Sequence, residues 1–293
     1  MSWTDLGGGV RVRQSRAFHM NSALLLDREH AVVIDAGVLP SEIDDIAAAH
    51  REARAARTSL FPTHAHWDHV LARPWWPDAE VIAHDRFAAE LAAGAAHTLA
   101  EAGRIAREHG ETWTRGFQPY RPAHAVSGLH YAQRGPWHLV FRDAPGHSGS
   151  QLTLHLPDRR ILFAADMLSD IEIPILDAPP AVYRHTLEPL LQLVDSGAVD
   201  TLVPGHGAIA HGDTVRARII DDLAYLDELA HRATESAHAG RDLAATQAGL
   251  ATMDYRGKTG GPYPMADIHR DNIAHAWQAA KTPHKGKPAP PKR

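Results

Sequence analysis

Cysteine is absent from the 293 residues, which rules out disulfides and thiolate metal ligands and leaves no basis for an iron–sulfur or other soft-metal centre. Long apolar runs are missing too. Ala23-Leu24-Leu25-Leu26 stops at Asp27, far short of the roughly 20 residues that span a bilayer, so no membrane association is expected. There is no basic excess: 30 lysines and arginines stand against 35 acidic residues, a net charge of −5, which gives no whole-chain attraction for nucleic acid. The stretch from Met1 to Arg16 carries arginines and glycines and lacks the apolar core of a signal peptide, so the expected location is the cytoplasm. These exclusions leave a small-molecule substrate as the expected partner, with the oligomeric state open. The length suits one large domain or two modest ones, and it can bury a core without staples.

Histidine is what the chain has in excess, 22 residues, and position decides which of them matter. Four potential ligands fall within six residues in His64-Ala65-His66-Trp67-Asp68-His69. Imidazole and carboxylate suit zinc and similar first-row metals. A helix needs spacings of three or four to aim two side chains at one ion, so this cluster reads as a loop leaving a buried strand. On such a loop, His64 and His66 can face one metal while Asp68 and His69 reach a second position nearby.

The surrounding pattern is α/β. Ser22–Leu26 and Ala31–Ile34 read as paired strands ending at Asp35-Ala36-Gly37, and Ser41 is expected to cap a helix running to about Arg57. Thr58–Phe61 is a brief strand delivering the chain to the histidine cluster. Glu80–Ala83 is the next strand, before a helical stretch from about Asp85 to His109. The segment from Trp113 to Arg134 mixes aromatics with proline and glycine and reads as an ordered loop or lid. Trp137–Arg142, Gln151–Leu156, Ile161–Ala164 and Thr201–Val203 are further strands, with a helix around Ala181–Asp195. Asp213 is expected to cap a helix to about His238, where Val215, Ile219, Leu223, Leu226 and Leu229 recur at helical spacing. The basic, proline-rich end from Lys281 to Arg293 reads as disordered. The expected organisation is a core over residues 1–211 with an insertion near 85–135, a helical part over 212–280, and a tail over 281–293.

Three later residues sit where strands end: His147 in Pro145-Gly146-His147-Ser148-Gly149, Asp166 after Ile161–Ala165, and His206 in Pro204-Gly205-His206-Gly207. Adjacent glycines permit turns tight enough to aim an imidazole inward. His84, after Val81-Ile82-Ala83, reads as structural, and His97, His109, His124, His130 and His138 lack ligand spacing.

This ordered set, from Asp35 to His206, resembles the metallo-β-lactamase superfamily. The resemblance implies a four-layer αβ/βα sandwich with metals at one edge, here with added C-terminal helices. It implies that His64, His66 and His147 hold one metal, that Asp68, His69 and His206 hold a second, and that Asp166 bridges them. Asp35, whose position before a glycine would by itself suit a plain turn, resembles the family's early aspartate that supports the histidine loop. The implied cofactor is a pair of zinc ions, with iron or manganese as other first-row candidates. Two metals bring bound water near neutrality and polarise the substrate, so hydrolysis by direct water attack is the expected reaction, with Asp68 steering the proton.

An aspartate at position 166, where β-lactamases of the family carry cysteine or serine, is similar to the thioesterase and lactonase branches. A carboxylic ester, thioester or lactone is therefore the expected substrate. The alternatives are a β-lactam or phosphodiester hydrolase of the same fold, a mononuclear-iron persulfide dioxygenase, and a metal-binding protein without catalysis. The dioxygenase is disfavoured because Met167-Leu168-Ser169-Asp170 replaces its Gly-Arg-Thr-Asp pattern. Tyr183 lies in the stretch of the lactonase tyrosine but equally suits a helix face. Trp113, Phe117, Tyr120 and Met253–Met265 suit either an apolar pocket or plain packing.

Overall fold

A hairpin opens the chain, Thr4–Gly7 (β1) with Val10–Gln14 (β2), and it continues antiparallel into Asn21–Leu25 (β3) and His30–Ile34 (β4). Both β3 and β4 are buried at every position, as expected of near-continuous apolar strands covered on both faces. The computed structural model describes residues 3–282. Pro40–Ala53 (α1) crosses to Arg57–Phe61 (β5), which runs parallel to β4. Glu80–His84 (β6) and His124–Val126 (β7) extend the parallel run, with Phe87–Glu108 (α2) between them. The first sheet thus has seven strands in sequence order.

The second sheet is built from Leu129–Arg134 (β8), Trp137–Asp143 (β9), Leu152–Leu156 (β10), Ile161–Phe163 (β11), Thr201–Val203 (β12) and Ala210–His211 (β13). All its pairs are antiparallel except β11 with β12, which are joined through Pro180–Asp195 (α3). Asp213–His238 (α4), Leu243–Leu250 (α5) and Met265–Lys281 (α6) follow.

The inner faces of the sheets meet in one core. Phe61, Val32 and Ile82 of the first face Phe141, Leu152 and Phe163 of the second, and the Phe61 and Phe141 rings meet edge-on at 4.9 Å. On the outer face of the first sheet, Val33 and Leu60 pack against Ile43 and Ile46 of α1 and Phe87 and Leu91 of α2. On the outer face of the second, Leu162 and Leu202 pack against α3, α4 and α6 through Leu187, Ile219, Leu226 and Ile273. Each such side chain contributes about 1.5–3 kcal/mol on burial. The result is the expected αβ/βα sandwich. Among the described residues, no helix is long and apolar enough to cross a membrane.

Several local expectations are corrected. Ser41 caps nothing: α1 begins at Pro40, Leu39 takes the cap position without a side-chain bond, and Ser41 Oγ donates to Glu111. Proline at the first helical position leaves no amide needing a cap there. The helix also stops at Ala53 because Arg54 turns left-handed. Asp213 lies inside α4, where Gly212 holds the cap position. The segment from Trp113 to Arg134 is more than a loop: it contains β7, the last strand of the first sheet, and β8, the first of the second. The tail expected over 281–293 lies outside the described residues beyond Thr282.

Topology also fixes where loops gather. The parallel strands β4 and β5 end at the same edge of their sheet, and β9, β11 and β12 end together at one edge of theirs. Leu152 N–H donates to Thr63 O, and a Met20–His206 bridge ties the two edges to each other.

Candidate metal centre

The loop after β5 carries His64, His66, Asp68 and His69 into the space between those edges. Its entry is held by Asp35, the residue after β4, which is 4% exposed and strained at φ +43°. Thr63 donates to both Asp35 oxygens, from its N–H to Oδ1 and from its hydroxyl to Oδ2, each at 2.8 Å. Asp35 Oδ2 also lies 3.0 Å from His69 Nδ1, which leaves His69 Nε2 to face Asp166 and Asp68. Asp35 therefore fixes both the loop and one imidazole.

Opposite lie the loops of the second sheet. His147 follows Gly146, whose φ of +131° and contact with Tyr183, 2.6 Å from where a Cβ would stand, admit only glycine. Asp166 follows Ala165, itself at φ +52°, and nestles on Gly205, where a Cβ would fall 2.0 Å from Asp166 Oδ1. His206 donates from Nδ1 to Phe18 O at 2.9 Å, so its Nε2 also points inward.

All seven predicted ligand side chains converge, in two groups. His64, His66, His147 and Asp166 offer donor atoms within 4.8 Å of one another, and so do Asp68, His69 and His206. Asp166 stands between the groups. Its Oδ2 is 3.3 Å from His147 Nε2 and 3.4 Å from His206 Nε2, and its Oδ1 is 3.2 Å from His69 Nε2. Asp68 reaches His206 Nε2 at 3.5 Å and His69 Nε2 at 3.7 Å.

This donor set fits divalent metal ions. Imidazole nitrogens and carboxylate oxygens are the ligands zinc and its neighbours take. The buried atoms His64 Nε2, His69 Nε2 and Asp166 Oδ1 make no hydrogen bond to the protein, an expensive state that a cation relieves. His66 Nδ1 and His147 Nε2 face each other at 2.9 Å, as two ligands of one ion would.

The electrostatics agree. Burial, aided by the neighbouring His69, holds the His64 imidazole well below its usual pKa and so neutral. Burial pulls His69 the same way, but Asp166, Asp35 and Asp68 outweigh it and hold it well above. Burial likewise opposes a charged His206, yet Asp166, Glu172 and Asp68 raise it to about 10. Asp166, despite burial, is held well below the carboxylate range by His69, His206 and His64. Without a metal, protons on His69 and His206 stand where positive charge is required.

A cavity of about 600 Å³ opens over this floor. Its walls contain Glu90 and Glu172, which went unnamed in the sequence analysis, and Tyr263, which lies in the Met253–Met265 segment named there. Glu90 of α2 accepts from Ser148 Oγ at 3.1 Å and Ser150 Oγ at 2.6 Å, and Ser150 Oγ accepts from Ala65 N–H, so one carboxylate braces both histidine loops. Glu172 is 4% exposed, and burial lifts its carboxyl to about 7. Tyr263 packs on His206 with ring centroids 5.7 Å apart. A buried acid among isoleucines in Ile171-Glu172-Ile173 and a lone aromatic in Gly260-Gly261-Pro262-Tyr263-Pro264 were the available signals.

Other candidates lie elsewhere. Tyr183 is fully buried behind Asp166, its hydroxyl donating to the Asp166 carbonyl at 3.3 Å, so it reaches no substrate. Trp113, Phe117 and Tyr120 pack on the α1–α2 side, away from the cavity. Met253 and Met265 join the core under α4 and α6, leaving Tyr263 as that segment's contribution to the cavity. His84 accepts at Nδ1 from Arg86 N–H at 3.0 Å, and its Nε2 lies 3.3 Å from Asp143 Oδ1 of β9, the surroundings of a structural residue.

Comparisons with known proteins agree with this geometry. Residues 16–206, which include all seven side chains, match the model of the metallo-beta-lactamase superfamily. A Homo sapiens protein named acyl-coenzyme A thioesterase MBLAC2 is 31% identical over 225 residues, covering 69% of this chain and 79% of its own. The Gallus gallus protein of that name is 29% identical over 221 residues, covering 69% and 78%. Among solved structures, a metallo-beta-lactamase from Pontibacter korlensis aligns with TM-score 0.56 at 16% identity, over 77% of this chain and 98% of that one. The sec-alkylsulfatase Pisa1 from Pseudomonas sp. aligns with TM-score 0.73 at 15% identity, over 99% of this chain and 52% of its own. The second likeness extends the shared fold into the C-terminal helices.

Proposed function

The chain belongs to the metallo-β-lactamase superfamily, and we propose that it hydrolyses a carboxylic ester, thioester or lactone at a pair of divalent metal ions, zinc foremost. The observation that carries this reading is the convergence of seven side chains in two groups with one carboxylate between them. In this reading His64, His66 and His147 hold one ion, Asp68, His69 and His206 the other, and Asp166 both. Bound there, the ions supply Lewis acidity and an activated water.

The chain's own residues do the rest. Asp35 holds His69 in the tautomer that presents Nε2, and Phe18 O does the same for His206. Glu90 keeps the two loops at a fixed separation through Ser148 and Ser150. Asp68, on the cavity wall, is placed to take a proton at a carboxylate oxygen from the attacking water and to return it to the leaving group. No protein nucleophile is needed.

Among the three bonds, the thioester comes first. The relatives at about 30% identity are named as acyl-coenzyme A thioesterases. Among the described residues lining the cavity there is no lysine or arginine, a poor setting for a phosphodiester backbone. We further take residues 1–211 as the hydrolase core and 212–280 as a helical part that packs on it and lends Tyr263 to the cavity.

The test is a side-by-side panel of acyl thioester, aryl ester, lactone, β-lactam, phosphodiester and secondary alkyl sulfate. Thioester or ester cleavage should lead, vanish with chelator and return with zinc. Phosphodiester or sulfate cleavage far exceeding ester cleavage would overturn the bond assignment.

A further inference from the structure

One wall of the cavity has features that hydrolysis leaves unused. Glu172 Oε2 is buried without a hydrogen-bond partner, and the side chain lines the cavity. The cavity lining holds no lysine or arginine to face it; the groups that act on it are His206 and His147 of the metal centre, with Asp166 and Asp68 adding negative charge. A buried carboxylate left in this state is costly, so it is suited to a partner that arrives from solution.

Beside it the cavity is aromatic. Phe18, Trp67 and Tyr263 all line it; the Phe18 ring lies 5.9 Å from Trp67, nearly perpendicular at 79°, and 5.8 Å from Tyr263. The Tyr263 hydroxyl neighbours Glu172; burial first, then the charge of Glu172, pushes the phenol above its usual range. Phe18 and His19 both hold positive φ, 55° and 52°. Two successive non-glycine residues in that region are strained, and here the strain presents an aromatic ring to the cavity and the Phe18 carbonyl to both His206 and Tyr263.

Aromatic faces attract cations through their quadrupoles, and a desolvated carboxylate supplies the counter-charge. Neutral groups gain neither contribution, and anions are repelled. We propose that Glu172, Tyr263, Phe18 and Trp67 form a subsite for an alkylammonium group carried by the substrate, so that the enzyme favours cationic acyl compounds over neutral ones of the same shape. Calling the ligand a substrate rests on the hydrolase reading above; binding of the cation does not.

The experiment measures, by calorimetry on the metal-loaded full chain, the binding of hexyltrimethylammonium and of its uncharged isostere with carbon in place of nitrogen. The ammonium should bind about 10-fold or more tightly, the order of a desolvated cation over aromatic faces with a counter-charge beside it. Glu172→Gln should bring the two affinities close together, while Glu172→Asp keeps most of the difference. Equal affinity of the two ligands for the wild-type protein overturns the subsite whatever the variants do. An ammonium preference without any ester cleavage supports the subsite and overturns the hydrolase reading. Ester cleavage with equal affinities does the reverse.

Discussion

At the junction of α4 and α6, Tyr225, His269 and Asn272 are each about 1% exposed. The Tyr225 hydroxyl lies 2.8 Å from His269 Nδ1, His269 Nε2 meets Leu250 O at 3.0 Å, and Asn272 bonds Pro174 O, Leu176 N–H and the Tyr225 hydroxyl. At the cavity floor, His64, His69 and Asp166 are buried almost as deeply, yet key atoms of all three lack hydrogen bonds. The first cluster closes on itself and therefore stabilises and specifies packing. In the second, donor atoms face one another in two groups and several are left without a protein partner. A buried polar group says little about function until its partners are counted, and here the counting separates two histidine clusters of similar depth.

That contrast can be broken by mutation, and the largest effect is expected at Asp166. Asp166→Ala should lower metal affinity and turnover by about 100-fold or more, since the change removes the carboxylate between both groups. Circular dichroism should remain native, and unchanged metal content together with unchanged turnover would take Asp166 out of the site. Next comes Asp35→Asn, which touches no proposed metal. An amide can turn its N–H toward His69 Nδ1 and disfavour the tautomer that presents Nε2, so metal affinity should fall by about 10-fold or more, read by competition with a chromogenic chelator.

The closed cluster should respond in the opposite manner. Tyr225→Phe removes the hydroxyl shared by His269 and Asn272 and should cost about 1–3 kcal/mol of stability. Metal stoichiometry and turnover per folded molecule should stay at wild-type values; a loss of metal in this variant would erase the distinction between the clusters.

The smallest effect is in pH. His206 in the metal-free protein is raised to about 10, above the roughly 6.5 of an unfolded histidine. Its contribution to stability is therefore fully present below about pH 6.5 and is lost as pH rises through 10. The melting temperature of metal-stripped protein should fall between pH 7 and 10.5. The decline should be shallower in His206→Gln and in the metal-loaded protein, where a metal takes the place of the proton. Equal slopes in all three would show that His206 carries no such proton.

The contrast also explains what was legible beforehand. The cavity floor was readable because its chemistry is compressed: four ligands share one loop, and His147 and His206 carry the glycines their turns require. The layered α/β pattern was readable because β4 is a short apolar run, β10 alternates leucine with threonine and histidine, and α4 repeats apolar residues at helical spacing. The β7–β8 hand-over was not, because β8 faces solvent with Leu129 at 46% and Tyr131 at 69% exposure, so the alternation that marks a half-buried strand is missing. The β1–β2 hairpin is short, and β2 alternates Val10 and Val12 with arginines over only four residues before its polar end at Gln14. Glu90 and Glu172 could not be singled out because their roles depend on contacts across long stretches of sequence, whereas Tyr263 lay within Met253–Met265, a segment suited equally to a pocket and to packing. Tyr183, left open between a lactonase-like tyrosine and a helix face, proves to point into the core under Asp166.

The proposed dinuclear centre is tested most directly by elemental analysis of protein purified without chelator, combined with native mass spectrometry of the intact chain. Two groups of donors with Asp166 between them predict two divalent ions per chain, predominantly zinc. A reproducible single equivalent of iron, unchanged after incubation with excess zinc, would contradict it.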